Sequence, residues 1–280
     1  MMVMMYDCRG HFDSFPEGLE KSLYTDDTLL IGKDPKLIQR YMNVIAEEGK
    51  RYGLHLNLSK LEMMQINCDV RICDPAGQPI MKKDSIKYLG ALLHKNGRID
   101  TELSCRLGMA RSEFTALAQI WNTANITRAR KVQLYQSLVV SKVLYGMQTV
   151  WLTKLLRKRI DGFHCGYLRK IMGIPHPYIS RITNREVLQQ AGTIPLSHLL
   201  LRHQLLYYGK IARQMEHPAR KLVFQDQSLE IATMLPRRRG RPILSWVVEV
   251  GSHANSINGE ICNVKEWRNA ITSYCKALNF

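Results

Sequence analysis

The sequence lacks the features of secreted, membrane-spanning and zinc-binding proteins. Its seven cysteines are odd in number and scattered, and no two of them form a Cys-x-x-Cys pair. This pattern favours reduced thiols in an intracellular protein, nuclear or cytoplasmic, over a disulfide framework or a zinc site. No apolar run approaches the ~18 residues of a membrane-spanning helix, and the first residues lack the basic start of a signal peptide. We therefore expect no secretion, no membrane partner and no zinc.

Acidic residues are scarce in the middle of the chain. Residues 101–223 hold 5 Asp and Glu against 19 Lys and Arg, whereas residues 1–100 hold 14 of each kind. Most of the net charge of +16 therefore falls in one region. Solvated basic helix faces are one explanation, but so large a local excess favours a nucleic-acid partner, which basic residues bind through its phosphates.

One short stretch organises the front of the chain. It reads Leu23-Tyr24-Thr25-Asp26-Asp27-Thr28-Leu29-Leu30-Ile31. Two adjacent aspartates stand between short apolar runs, which predicts a tight β-hairpin with the carboxylates at or near its turn. A solvated turn is the ordinary reading of such a pair. The alternative is a site for Mg²⁺ or Mn²⁺, because these hard cations prefer carboxylate oxygens.

Recognisable segments follow the hairpin in order. Apolar residues recur at helical spacing from Lys36 to Tyr52, and Gly53 is a typical helix stop. The stretch from Gly53 to Lys60 reads Gly-Leu-His-Leu-Asn-Leu-Ser-Lys, and Tyr88-Leu89-Gly90 lies in a predicted hairpin. From residue 99 to residue 171 the pattern becomes helical and basic.

The Tyr-x-Asp-Asp stretch resembles the catalytic motif of reverse transcriptases, and the later segments resemble the non-LTR (LINE-type) retrotransposon members in the same order. The resemblance implies that Asp26 and Asp27 hold the metal ions of a two-metal nucleotidyl transfer. Thr25 replaces the family's commoner alanine. Lys60 would lie near the leaving pyrophosphate or is an ordinary loop lysine. Tyr88, Leu89 and Gly90 would form the primer grip, although the first two could equally be core residues.

A second acidic motif is implied at the N-terminus. Asp7, followed by Phe12-Asp13-Ser14-x-Pro16, resembles the other metal-binding segment of the family, so Asp7 would complete the metal site. Nineteen positions separate Asp7 from Asp26, an interval much longer in the family. Either a piece has been lost, in the gene or in its reading, or this N-terminal match is accidental.

The predicted fold class is α+β. A partial polymerase palm, an antiparallel sheet with a helix, covers residues 1–98; a basic helical thumb covers 99–173; and a helical C-terminal region covers 174–280, with an Arg-rich segment at 236–242. That segment, Pro-Arg-Arg-Arg-Gly-Arg-Pro, is either a flexible phosphate-binding segment or, through its Arg-Gly-Arg-Pro, similar to the core of an AT-hook. The predicted nucleic-acid-binding residues are Arg128, Arg130, Lys131, Arg157, Lys158, Arg159, Arg237, Arg238, Arg239 and Arg241.

The resemblance implies an RNA-directed DNA polymerase fragment that takes an RNA template, a DNA primer and deoxynucleotide triphosphates. Counterparts of the fingers and of part of the palm are missing from the sequence. We therefore predict weak or no polymerase activity for this chain alone, and whether it is an enzyme stays open. The alternatives are a catalytically dead remnant that still binds nucleic acid, and a fragment that aggregates through its exposed palm surface.

Overall fold

The structure, a computed structural model, describes residues 2–7, 20–24, 27–122, 125–225, 229–231 and 245–278. The chain divides into two compact units, Met1–Glu102 and Leu103–Phe280. Strands characterise the first unit and helices the second, so the chain is of the predicted α+β class. The boundary expected after residue 98 lies just before this division, and the one expected after residue 173 falls within the second unit.

Four strands of the first unit form one sheet in the order β2–β3–β1–β4. They are β1 (Met2–Asp7), β2 (Glu20–Tyr24), β3 (Asp27–Gly32) and β4 (Glu62–Ile66). The strands β2 and β3 are antiparallel, with Tyr24 opposite Asp27, so the predicted hairpin is confirmed at the level of its strands. In contrast, β1 is parallel to both β3 and β4.

The sheet is therefore mixed, and the prediction of an antiparallel sheet is wrong for β1. Because β3 runs opposite to β2, β1 also runs opposite to β2. Only residues 8–19 join the two strands. Strands that run in the same direction need a crossover of about a dozen residues or more, usually a helix. The twelve residues of this link are at the lower limit for such a crossover, whereas strands of opposite direction can be joined by a shorter link.

Helix α1 (Pro35–Arg51) packs against this sheet. The Asp34 carboxylate accepts a hydrogen bond from the backbone N–H of Lys36 at 2.8 Å and caps the helix start. Ile38 and Met42 are fully buried, and they share a core with Leu30 and Met63 of the sheet. A helix predicted from periodicity alone thus forms, because its apolar stripe covers one face of the sheet.

A second hairpin closes the first unit. It consists of β5 (Ser85–Tyr88) and β6 (Ala91–His94), which are antiparallel, with Tyr88 opposite Ala91. The backbone N–H of Leu92 donates a hydrogen bond to the buried carboxylate of Glu102 at 2.9 Å. This bond ties the hairpin to the start of the helix that follows.

That helix and its successors make up the second unit. They are α2 (Asp100–Ala116), α3 (Ala118–Asn122), α4 (Arg128–Tyr135), α5 (Ser141–Leu144), α6 (Lys154–Met172), α7 (Pro177–Ser180), α8 (Asn184–Gln190), α9 (Leu196–Arg213), α10 (Arg220–Val223), α11 (Trp246–Asn255) and α12 (Val264–Ala277). A π-helical turn at Gln136–Val140 joins α4 to α5. None of the helices in these described ranges is long and apolar enough to cross a membrane.

His164 lies inside this unit. It is fully buried, and its Nδ1 atom lies 3.1 Å from the hydroxyl of Tyr135. Burial lowers the pKa of His164 to about 4, so the ring is neutral at pH 7. Its neighbour Cys165 is also buried, so both side chains pack in the core of the unit.

Helix α9 packs against α6, α11 and α12. The indole of Trp267 on α12 is 2% exposed, and its Nε1 donates to the carbonyl of Leu205 at 3.1 Å. Gly209, one turn further along α9, leaves space for this ring, because a Cβ atom there would lie 2.6 Å from Cδ1 of Trp267. The close approach of α9 and α12 therefore depends on a glycine.

We predict that Gly209→Ala lowers the free energy of unfolding of the chain by about 1–3 kcal/mol, because the added methyl group overpacks the helix contact. The matched control is Gly166→Ala on α6, where a Cβ would meet nothing within 4 Å. That change should raise stability by roughly 0.5–1 kcal/mol through helix propensity alone. Urea unfolding followed by circular dichroism measures both; stabilisation by Gly209→Ala would contradict the close approach.

Candidate nucleic-acid interface and polymerase-like hairpin

The first candidate residue is Asp27, which begins strand β3. It is half-buried, and the buried Leu29 and Leu30 follow it in the strand. Its backbone pairs with Tyr24, so only Thr25 and Asp26 stand between the two paired strands. Thr25 and Asp26 lie outside the described residues. The hairpin thus fixes Asp27 at the edge of the sheet where β2 ends and β3 begins.

The register of β1 places Asp7 at the other edge. Met2 pairs with Thr28 and Tyr6 with Gly32, so Asp7 lies one position past the end of β3. The backbones of Asp7 and Asp27 are therefore separated by the length of the strand, roughly 20 Å. The structure therefore does not bring Asp7 and Asp27 together, although the sequence assigned both to one metal site.

Lys60 lies at the same sheet edge as Asp27. The one-turn 3₁₀ helix Leu58–Lys60 leads into β4, whose first residue, Glu62, pairs with Val3. Because β4, β1 and β3 run in the same direction, the starts of β4 and β3 share an edge, with the axes of the two strands about 10 Å apart. Lys60 is exposed, and its backbone N–H donates to the carbonyl of Asn57 at 3.0 Å.

These positions do not make up a metal centre. Within the ranges that the structure describes, no three His, Cys, Asp or Glu side chains come close enough together to hold a metal ion. At the hairpin edge the described strands contribute the carboxylate of Asp27, and Asp7 lies at the opposite edge. A magnesium ion keeps several waters and is usually bound by one or two carboxylates, so a pair of ions needs more carboxylates than Asp27 provides. The described residues therefore do not fit the expected two-ion site.

The predicted primer grip forms the turn of the β5–β6 hairpin. Leu89 has φ +47° and Gly90 has φ +77°, so both residues of the two-residue turn adopt the left-handed conformation. Such turns match the twist of paired strands and favour Asn or Asp followed by Gly. A leucine at the first position costs energy in this conformation. The strained residue Leu89 thus lies in the turn of the hairpin that the sequence analysis predicts as the primer grip.

We predict that Leu89→Asn raises the free energy of unfolding by about 0.5–1 kcal/mol, because asparagine tolerates a positive φ better than leucine. The companion change Gly90→Ala should lower stability by about 1 kcal/mol, since alanine takes on the strain that glycine avoids. Denaturant unfolding of the three proteins checks the pair. A stability loss in Leu89→Asn would mean that the contacts of the leucine side chain outweigh the strain of the turn.

Helix α4 presents basic residues at its N-terminus. The Thr127 hydroxyl caps the helix by accepting a hydrogen bond from the backbone N–H of Arg130 at 3.3 Å. Arg128 and Arg130 are exposed, whereas Lys131 is half-buried and its Nζ donates to the carbonyl of Trp121 at 2.8 Å. The two arginines stand where the helix dipole is already positive, which strengthens the local attraction for phosphate.

The basic residues of α6 divide into surface and internal groups. Lys158 and Arg159 are exposed, and Arg159 donates to the hydroxyl of Ser104 at 3.1 Å. Arg157, also predicted to bind nucleic acid, instead forms an ion pair with Glu249 of α11, whose carboxylate accepts from Trp151 Nε1 as well. Arg157 therefore has a structural role in the fold.

Burial opposes ionisation of Glu249, but the hydrogen bonds and charge of Arg157 prevail, so the pKa of Glu249 lies below its ordinary value. The sequence analysis missed this partner because 92 positions separate it from Arg157. The remaining predicted nucleic-acid-binding residues, Arg237, Arg238, Arg239 and Arg241, lie outside the described residues together with the rest of segment 236–242.

Comparisons with known proteins bear on these positions. Residues 1–93 match the family model described as reverse transcriptase (RNA-dependent DNA polymerase). An uncharacterized transposon-derived protein of Caenorhabditis elegans is 24% identical over 161 residues, which are 54% of this chain and 56% of that relative. The chain thus spans about half the length of the curated relative that it matches. No solved structure matches it.

The region similar to reverse transcriptases contains every candidate position of the first unit. It starts at β1 with Asp7, includes the Asp27 hairpin and Lys60, and ends in β6, just after the Leu89–Gly90 turn. The basic faces of α4 and α6 lie beyond it. The candidate catalytic residues and the candidate phosphate contacts therefore belong to different units of the chain.

Proposed function

We propose that this chain is part of a transposon-derived reverse transcriptase of the non-LTR type, a C-terminal palm portion followed by a helical thumb. It binds a DNA primer annealed to an RNA template inside the cell. By itself it has weak or no RNA-directed DNA polymerase activity. The similarity of residues 1–93 to reverse transcriptases and the transposon-derived relative support the class of protein.

The direction of β1 is the observation that supports the proposed low polymerase activity. A two-metal transfer needs several carboxylates around both ions, and the parallel register leaves Asp7 a strand length away from Asp27. Mg²⁺ or Mn²⁺ is the cofactor that the family similarity suggests, with Asp26 and Asp27 as its proposed ligands in this chain. In this proposal a complete site, and with it the use of deoxynucleotide triphosphates, requires residues beyond those of this chain.

Nucleic-acid binding does not depend on that site. Arg128, Arg130, Lys158 and Arg159 are exposed side chains of the second unit, and basic helix faces bind phosphates without reading sequence. Lys60 and the turn at Leu89 and Gly90 are the proposed contacts of the first unit with the incoming nucleotide and the primer. In this proposal the chain can therefore bind primer and template without being catalytically active.

Primer extension on an RNA template tests the catalytic part of the proposal. The purified chain and its Asp26→Asn/Asp27→Asn variant, each with Mg²⁺ or Mn²⁺, should give no measurable or only trace extension. Both should bind the labelled primer–template with similar affinity, because binding is assigned to the other residues. Extension by the unmodified chain that the variant loses would overturn the inactivity and favour a working polymerase.

Charge reversal on α6 tests the binding part. We predict that Lys158→Glu/Arg159→Glu weakens primer–template binding at least roughly tenfold at ~0.1 M salt, because phosphate contacts supply most of the affinity. The slope of log affinity against log salt should flatten by about 2, or one per lost phosphate contact. Fluorescence anisotropy over a range of salt concentrations measures both quantities.

The control variant is Lys265→Glu/Arg268→Glu on α12, which makes the same charge change at two exposed residues of the same unit. It should weaken binding far less. Equal losses in the two variants would mean that binding follows net charge alone, and the assignment of the α6 face would fail.

A further inference from the structure

One buried arginine holds the segment that joins α6 to α8. Arg169 is 5% exposed, and its guanidinium donates to the carbonyls of Ile182 at 2.7 Å and Pro175 at 3.3 Å. It also donates to the side chain of Asn184 at 3.3 Å. These bonds satisfy backbone carbonyls of a segment that contains only the one-turn helix α7, so its conformation is set by the arginine.

The outer side of this segment exposes two large apolar side chains. Tyr178 is 77% exposed and Ile179 is 73% exposed, both on α7. The guanidinium of Arg181 lies 5.5 Å from the centre of the Tyr178 ring. Arg181 itself has φ +57°, a conformation that is uncommon for a residue other than glycine. Tyr178, with Arg181 beside its ring, is thus exposed to solvent on a segment that Arg169 holds in place.

The surroundings of this pair are basic. Lys170, His176 and Arg185 are exposed on the same stretch of chain. The acidic residue of the stretch, Glu186, accepts hydrogen bonds from the backbone N–H and the hydroxyl of Thr183, at 2.6 and 2.8 Å, and these bonds lower its pKa. Its carboxylate is used in capping α8.

We propose that Tyr178 and Arg181 form a stacking platform for an unpaired base of single-stranded nucleic acid, with Lys170 and Arg185 placed to attract the flanking phosphates. An exposed aromatic ring stacks on any base, and an arginine beside it adds cation–π attraction and charge. A duplex hides the faces of its bases, so a ring of this kind suits a single strand. The basic surroundings favour this polyanion over a protein partner. The inference rests on the proposed nucleic-acid function and adds a site for the unpaired strand.

The test measures binding of the full chain to short RNA and DNA single strands that carry 2-aminopurine, whose fluorescence is quenched by stacking. The unmodified chain should bind both strands and quench the probe. Tyr178→Ala should weaken binding about five- to thirtyfold and abolish the quenching, which corresponds to about 1–2 kcal/mol of stacking. Tyr178→Phe keeps the ring and should retain both properties. Loss of binding to one strand only would assign the platform to the strand that is no longer bound.

Tyr52→Ala is the matched control, because Tyr52 is 80% exposed at the end of α1 and its removal should leave binding unchanged. If the unmodified chain binds and Tyr178→Ala binds and quenches equally well, this inference fails while the proposed function stands. If the unmodified chain binds neither single strands nor primer–template, both fail together. Circular dichroism of each variant separates lost binding from lost structure.

Discussion

The direction of β1 decides what the sheet of the first unit can do. In a sheet, the residues that end one strand lie beside those that begin its neighbour only when the two strands are antiparallel. Were β1 antiparallel to β3, Asp7 at its end would lie beside Asp27 at the start of β3. The observed parallel register places Asp7 at the opposite edge. This pairing therefore leaves Asp7 a strand length away from Asp27 instead of beside it, although the sequence contains the aspartates of both motifs.

The chain length between the strands is compatible with that pairing. An antiparallel β1 would have to run in the same direction as β2, and a connection between two such strands must return along the full length of the sheet, usually as a helix. The sequence provides twelve residues, 8–19, for this connection, which is at the lower limit for such a crossover. The observed parallel pairing of β1 with β3 makes β1 and β2 run in opposite directions, so no crossover between them is needed.

Local patterns predicted local structure well. Helix α1, the β2–β3 pairing and the turn after Tyr88 follow from periodicity, flanking residues and glycine within a few positions of each other. The interactions that the sequence did not reveal are distant in the chain. The partner of Arg157 lies 92 positions away, and the residues that pair with β1 lie 26 and 59 positions further along the chain. Neither the charge nor the spacing of Arg169 indicates that it binds carbonyls of the next segment.

The basic residues of α6 illustrate why net charge alone does not define an interface. Arg157 and Arg169 use their guanidinium groups within the unit, where an ion pair and backbone carbonyls offset the cost of burial. The exposed positions follow one another mostly at three- and four-residue spacing, so they share one face: Lys154, Leu155, Lys158, Arg159, Gly162, Gly166 and Lys170. Its glycines carry no side chain, which leaves the cations at its two ends accessible to a backbone of phosphates. The charge available for binding is therefore smaller than the sequence suggests, but it is concentrated on a surface that a polyanion can approach closely.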